Sequence, residues 1–303
     1  MNLPQLQAFV ALAETASFTE AAEALHLTQS GVSRALASLE RELGVKLIER
    51  NRKGVIGLTT AGRQILRHAR ALLAQAEAIE QEARAAQGST SGKLRLGIIQ
   101  AFIPADVVAG VLTRFQRLYP DVSPVLFEGA LNEVGEWLET GVVDVGFVLL
   151  PAPGTASAPI ASDELCVVVP SGHRLCGRAG VVPRELHGEG LIMEKTHCAL
   201  QVLERAGFEL SKSETLIRHQ ARDSATILAM VQEGLGITLM PRKMLREPLK
   251  GVALLPLDPP HRLQIGVAVK SYDTASRTAR LFLETAVAWS RTLSTGDPVA
   301  EWI

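Results

Sequence analysis

Ser17-Phe18-Thr19-Glu20-Ala21-Ala22-Glu23-Ala24-Leu25-His26-Leu27-Thr28-Gln29-Ser30-Gly31-Val32-Ser33-Arg34 decides the fold of the N-terminal part of this chain. Ser17 and Glu20 have the spacing of a capping box, in which each side chain satisfies the amide of the other. That predicts a short helix from Phe18 to Leu25, with Ala21 and Ala22 small enough for a close helix crossing. His26-Leu27 reads as the turn. Thr28 caps a second helix, on which Val32, Leu36, Leu39 and Leu43 recur at helical spacing before Gly44 stops it. Ahead of both, a first helix carries Leu6, Phe9, Val10 and Ala13 on one face.

Two short helices joined by a tight turn, the second polar at its N-terminal end, suit insertion into the major groove of DNA. The groove is about one helix wide, so side chains near the helix tip reach base edges. Gln29, Ser30, Ser33 and Arg34 stand at that tip. Gln pairs with adenine, Arg with guanine, and Ser with either base or phosphate. Leu47 to Val55 then reads as a hairpin whose cations, Arg50, Arg52 and Lys53, suit phosphates or the minor groove. The competing reading is an ordinary helical core with solvated polar faces.

Residues 59 to about 87 are rich in Ala, Gln, Glu and Arg and predict one long helix. Ile65, Leu72, Ile79 and Ala86 recur every seventh residue, with Ala69, Ala76 and Ala83 four residues after the first three. Such a seam lets two helices pair closely, so Ile65, Ala69, Leu72, Ala76 and Ile79 are the expected dimerisation residues. A helix packed on its own domain is the alternative. Gly88-Ser89-Thr90-Ser91-Gly92 then breaks the helix.

Beyond that break, strand and helix patterns alternate. Strands are expected at 94–99, 122–127 and 143–148, with helices at 107–118 and 133–140 between them. A second set of strands is expected at 165–169, 191–193, 217–221 and 237–240, then a late strand at 263–269 and a terminal helix from Ser276. Repeated strand–helix–strand units predict a mostly parallel sheet covered on both faces. The Pro- and Ala-rich stretch 151–160 would join two α/β lobes.

Composition narrows the function. The chain has 303 residues, 47% of them hydrophobic and 21% charged, which predicts two or three soluble globular units. A net charge of -1 excludes a uniformly basic nucleic-acid coat, so DNA contacts depend on local placement of charge. The N-terminus has no secretory pattern, no apolar run is long enough to span a bilayer, and Cys166, Cys176 and Cys198 are an odd number at irregular spacing. A cytoplasmic protein is expected. The seven histidines show no metal-ligand spacing. Phosphate loops, nucleophile elbows and paired carboxylates are lacking, so neither an enzyme nor a cofactor is expected. A plain solute-binding protein would account for the lobes but would need export and would have no use for residues 1–87.

A resemblance carries the reading further. Phe9-Val10-Ala11-Leu12-Ala13-Glu14, Ser17 to Ala22, Leu25 to Ser30, Val32-Ser33-Arg34, Leu39-Glu40, Leu43-Gly44, Leu47, Glu49-Arg50 and Leu58 to Gly62 resemble the DNA-binding module of LysR-type regulators. Gly92 to Gly97, Tyr119-Pro120, Glu128-Gly129, Gly141 to Asp144, Gly172 to Leu175 and Gly234 to Pro241 are similar to runs in the rest of that family. The resemblance implies a winged helix-turn-helix (1–58), a linker dimerisation helix (59–88) and an effector-binding domain (89–303) like the periplasmic binding proteins. Lobe I would comprise about 92–150 and 268–303, and lobe II about 161–267. It implies a homodimer or homotetramer on an operator of partial inverted symmetry in double-stranded DNA, with RNA polymerase as partner for an activator. Gln29, Ser30, Ser33, Arg34, Arg50, Arg52 and Lys53 carry over as DNA contacts. Ser30-Gly31 stands where the family commonly has Pro-Ala, which changes the edge that meets the base.

The effector is expected at strand ends between the lobes. Candidates are Gln100, Ala101, Phe102, Ile103, Gly129 and Val148 on one lobe, with Thr196, His197, Cys198, Arg222 and Ser224 on the other. Phe102 makes the pocket more apolar than the Ser or Thr common in the family. His197-Cys198 before a helical stretch favours a thiolate, and Met193 to Cys198 with Ala206-Gly207-Phe208 resembles the sensing segment of the peroxide-responsive members. Their resolving cysteine has no counterpart after Cys198. Cys198 is thus either a small pocket-lining residue or a thiol whose oxidation stops at a sulfenic acid or mixed disulfide.

Overall fold

The computed structural model describes residues 1–51, 54–86, 90–99, 102–194, 216–221, 223–245 and 250–294. Two compact units emerge: Met1–Ser91 with Trp137–Val142, and Gly92–Glu136 with Val143–Ile303.

In the first unit, α1 spans Leu3–Thr15 behind a full capping box: the Gln5 amide donates to Asn2 Oδ1 at 3.0 Å, and the Asn2 amide donates to Gln5 Oε1 at 2.8 Å. Helix α2 (Phe18–Ala24) starts as the sequence predicts, with Ser17 Oγ accepting from the Glu20 amide at 3.3 Å. The reciprocal half of that box differs. The Ser17 amide donates to Thr15 Oγ1 instead, because the preceding helix ends close enough to supply an acceptor. Helix α3 (Gln29–Leu43) is capped by Thr28 and closed by Gly44 at φ 69°, a left-handed conformation that glycine adopts without steric cost. Strands β1 (Ile48–Asn51) and β2 (Gly54–Leu58) form an antiparallel hairpin, and α4 runs over Thr60–Ala86. Phe9, Leu12, Val32, Leu36, Leu39 and Leu47 are fully buried, and Leu66 and Ala69 of α4 close the same core.

The long helix therefore serves two ends. Ile65 and Ala69 belong to the helix-turn-helix core, whereas Leu72 and Ile79 are 48% and 72% exposed. Ala76 is half-buried. The expected seven-residue seam is split, its first two positions used within the chain and its later leucine and isoleucine left facing outward.

The second unit begins with β3 (Gly92–Ile99), α5 (Ala105–Leu118), β4 (Val122–Gly129), α6 (Leu131–Thr140) and β5 (Val145–Leu150). Here the strand–helix alternation of the sequence holds, and β3 pairs parallel with β4 and with β5. The mostly parallel sheet does not extend further. The stretch read as a lobe connector is the start of a fifteen-residue strand, β6 (Ala156–Pro170). It pairs antiparallel with the eighteen-residue β10 (Val252–Val269) from Ala156↔Val269 to Pro170↔Val252. The sheet order is β4-β3-β5-β10-β6-β9, with β9 at Thr238–Pro241. Both lobes thus hang on one two-stranded antiparallel ribbon. Lobe II adds the parallel pair β7 (Gly190–Glu194) and β8 (Leu216–Ala221) and helix α7 (Ser224–Gln232). Helix α8 (Arg277–Ser294) returns to lobe I, where Phe282 meets Phe115 and Phe147 edge-on at ring-centroid distances of 5.0 and 5.8 Å.

Candidate nucleic-acid interface and sensor cleft

The tip of α3 is built by its cap. Thr28 Oγ1 accepts from the Gly31 amide at 3.1 Å and lies 3.2 Å from Ser30 Oγ, so one hydroxyl fixes the first turn and the Ser30 side chain. Gln29, Ser30 and Arg34 are exposed, and Ser33 is half-buried. Arg34 Nε donates to the Ser30 carbonyl at 3.3 Å, which lays the guanidinium along the helix. A β-carbon at Gly31 would come within 3.2 Å of Thr28 Oγ1, so an alanine there would press on the capping hydroxyl. Beneath the exposed tip, Val32 and Leu36 anchor the helix in the core.

The wing hairpin follows directly. Arg50 pairs in register with Val55, while Arg52 and Lys53, the expected tip cations, lie outside the described residues.

Sequence reasoning missed Glu40. It is 3% exposed, and its carboxylate accepts from the Leu47 and Ile48 amides and from Lys46 Nζ. Burial would raise its carboxyl, but the Lys46 ammonium and the two amides outweigh that and hold it below the usual glutamate value. The signal was available: Glu40 stands four residues after Leu36, on the apolar stripe of its helix, where a charged residue needs a partner.

In the second unit, the ends of β3, β4 and β5 share one sheet edge, since Ile99 pairs with Gly129 and Ile98 with Phe147. Gly129 and Val148 are buried there, with Phe102 and Ile103 just past the end of β3. At the neighbouring helix start, the Ala130 amide already donates to Glu133 Oε2 at 2.7 Å. On lobe II, Ser224 opens α7, whose cap is Asp223, accepting from the Thr226 amide at 2.8 Å. That hydrogen bond lowers the Asp223 carboxyl. Gln100, Ala101, Thr196, His197, Cys198 and Arg222 lie outside the described residues.

The other two cysteines have clear settings. Burial pushes the Cys166 thiol up to about 11, and its β6 position gives it no route to reactivity. Cys176 Sγ is spent on the Pro170 and Ser171 carbonyls. Among the described residues no group of three or more His, Cys, Asp or Glu side chains is placed to hold a metal ion. Among them, too, no helix is long and apolar enough to cross a membrane.

A winged helix-turn-helix, a long helix and a two-lobed α/β domain, in that order, make up the architecture of a DNA-binding transcriptional regulator. Residues 3–63 match the family described as "Bacterial regulatory helix-turn-helix protein, lysR family", and residues 87–291 match "LysR substrate binding domain". The chain belongs to the LysR family of DNA-binding transcriptional regulators. It is 34% identical over 291 residues to the uncharacterized HTH-type transcriptional regulator YvbU of Bacillus subtilis, covering 94% of this chain and 98% of that protein. A probable hydrogen peroxide-inducible genes activator of Streptomyces viridosporus is 32% identical, over 79% of this chain and 77% of its own. Among solved structures, a peroxide-bound OxyR mutant from Corynebacterium glutamicum is 30% identical with a TM-score of 0.54, covering 97% of this chain and 96% of that one.

Proposed function

We propose that the protein is a non-enzymatic, cytoplasmic regulator that binds an operator of partial inverted symmetry as a dimer or tetramer. Residues 1–58 read the DNA, 59–88 pair two protomers, and 89–303 bind a small-molecule effector between the lobes, with RNA polymerase the further partner of an activator. The observation that carries this reading is the capped, exposed tip of α3, which offers Gln29, Ser30 and Arg34 above a fully buried anchor. Leu72 and Ile79, exposed on α4, support pairing through the later half of that helix. Ser33, Arg50, Arg52 and Lys53 complete the proposed DNA contacts. Phe102, Ile103, Gly129, Val148, Thr196, His197, Cys198, Arg222, Ser224 and the segment Gln100-Ala101 complete the proposed effector set.

The test is titration of the full chain against a duplex that it selects from random sequence. Arg34→Ala should weaken that duplex by about 1–3 kcal/mol relative to random DNA if Arg34 reads a base. An unchanged ratio of selected to random binding removes Arg34 from the readout.

A second reading rests on the relatives. The Streptomyces viridosporus protein is named for hydrogen peroxide induction, and the Corynebacterium glutamicum structure is peroxide-bound. In this reading Cys198 reacts with peroxide and stops at a sulfenic acid or a mixed disulfide, since Cys166 is buried and no cysteine follows Cys198. Peroxide-dependent labelling by a sulfenic-acid probe that persists in Cys198→Ser would eliminate it.

A further inference from the structure

Three elements meet at the backbone of Lys46, Leu47 and Ile48: the wing starts from it, and α3 and the start of α4 are each bonded to it. From α3, Glu40 Oε1 accepts from the Leu47 amide at 2.9 Å and the Ile48 amide at 3.4 Å, while Oε2 accepts from Lys46 Nζ at 2.8 Å. The Lys46 side chain is 78% exposed, so its ammonium lies over a buried carboxylate at the protein surface. From the residue that opens α4, Thr59 Oγ1 donates to the Lys46 carbonyl at 2.7 Å and the Thr59 amide donates to the Leu47 carbonyl at 3.0 Å. The same Thr59 hydroxyl accepts from the Gly62 amide at 2.8 Å and so caps α4. The approach is close enough that a β-carbon on Gly62 would sit 2.1 Å from the Leu47 carbonyl oxygen. Ile48 is also the first residue of the wing.

We propose that Glu40 and Thr59 are positioning residues for operator recognition, locking α3, the wing and the first turn of α4 into one piece through the Lys46–Ile48 backbone. A caps-only role for Thr59 would need its hydroxyl bonded to Gly62 alone; here its proton goes to the neighbouring element. A purely local role for Glu40 would not require two amides seven and eight residues away. The consequence is that any rotation of α4 turns the reading helix with it. Half-site separation on DNA is then set by how two α4 helices pair, and this inference rests on the dimer reading given above.

The experiment uses the full chain and a duplex selected from random sequence, with the spacer between its half-sites then lengthened or shortened by one or two base pairs. Each added pair rotates one half-site by about a tenth of a turn, so the wild-type protein should lose affinity steeply on both sides of the optimum. Thr59→Val keeps the shape of the side chain and removes both the bond to Lys46 and the cap on the Gly62 amide, the second of which Glu40→Gln leaves intact. It should weaken binding to the optimal duplex by roughly tenfold, flatten the spacing profile, and leave a single half-site bound within about twofold of wild type. Glu40→Gln, which strikes the junction from the opposite side, should flatten the profile likewise. Thr59→Ser retains the hydroxyl and should restore it.

If Thr59→Val and Glu40→Gln lower all the duplexes by one common factor, or lower none, the positioning role is overturned. A wild-type protein indifferent to spacing would instead remove the dimer reading, and this inference with it.

Discussion

The two units of this protein differ in how regularly their helices begin at a local side-chain cap. In the N-terminal unit the turns are fixed by side chains three residues from their partners: Asn2 with Gln5, Ser17 with Glu20, Thr28 with Gly31, Thr59 with Gly62. The C-terminal unit has such local bonds at Glu133 and Asp223 as well, but its sheet is also tied by bonds that reach far along the chain. Asp144 holds Arg95 from 49 residues away, and Asp163 accepts from the Lys243 amide across 80. Helix α5 there begins at Pro104 without any side-chain cap. A local cap is set by the few residues beside it, whereas a long-range pairing forms only once distant parts of the unit have come together.

Four substitutions probe that contrast. Phe282→Ala removes the ring shared by Phe115 and Phe147 and should destabilise the C-terminal unit by about 3–5 kcal/mol. Calorimetry should show its transition alone moving; an equal shift in the N-terminal transition would mean that the units do not unfold separately. Asp144→Ala comes next. It removes the carboxylate that accepts from the Arg95 guanidinium and amide, at a cost of about 2–3 kcal/mol by urea unfolding. A change below experimental error would show that solvent replaces this bond freely.

Thr28→Ala should cost about 1 kcal/mol in the N-terminal transition. Because it frees the first turn of α3, binding to the selected duplex should fall while the C-terminal transition stays put. The smallest effect is expected at Asp163. Burial raises its carboxyl above the usual value, so the folded state favours the proton; the stabilising contribution is present at acid pH and is lost as pH rises through that raised value. Asp163→Asn should therefore be neutral or mildly stabilising at pH 7 and should remove this part of the pH slope. Clear destabilisation at pH 7 would mean that the charge itself, through Lys243, is what the fold needs.

The same contrast explains how much could be read beforehand. The helices of the first unit and the tip of α3 were legible because caps, glycines and apolar spacing act within one or two turns. The order of β3, α5, β4, α6 and β5 was legible for the same reason, as periodicity. Strand β6 was not. Pro151, Pro153 and Pro159 read as a connector, but in lobe I the first half of β6 is the outer strand of the sheet, where a proline need not donate to a ladder. The split of α4 was equally hidden, since spacing alone does not say whether Ile65 and Ala69 face a partner or their own core. Glu40 announced a buried charge without naming the two amides that satisfy it.

Finally, the ribbon that joins the lobes is not uniform. Strand β10 matches Pro256 with Cys166 and then His261 with Leu165, so four of its residues are spliced in where β6 adds none. Leu257 bridges Val181 in lobe II, and the Asp258 amide donates to the Val181 carbonyl, while Pro259 and Pro260 have no amide proton to offer. At that level β6 stays paired with β9, Leu165 with Pro241 and Cys166 with Met240, so the spliced residues bulge from an otherwise continuous sheet and reach Val181 instead.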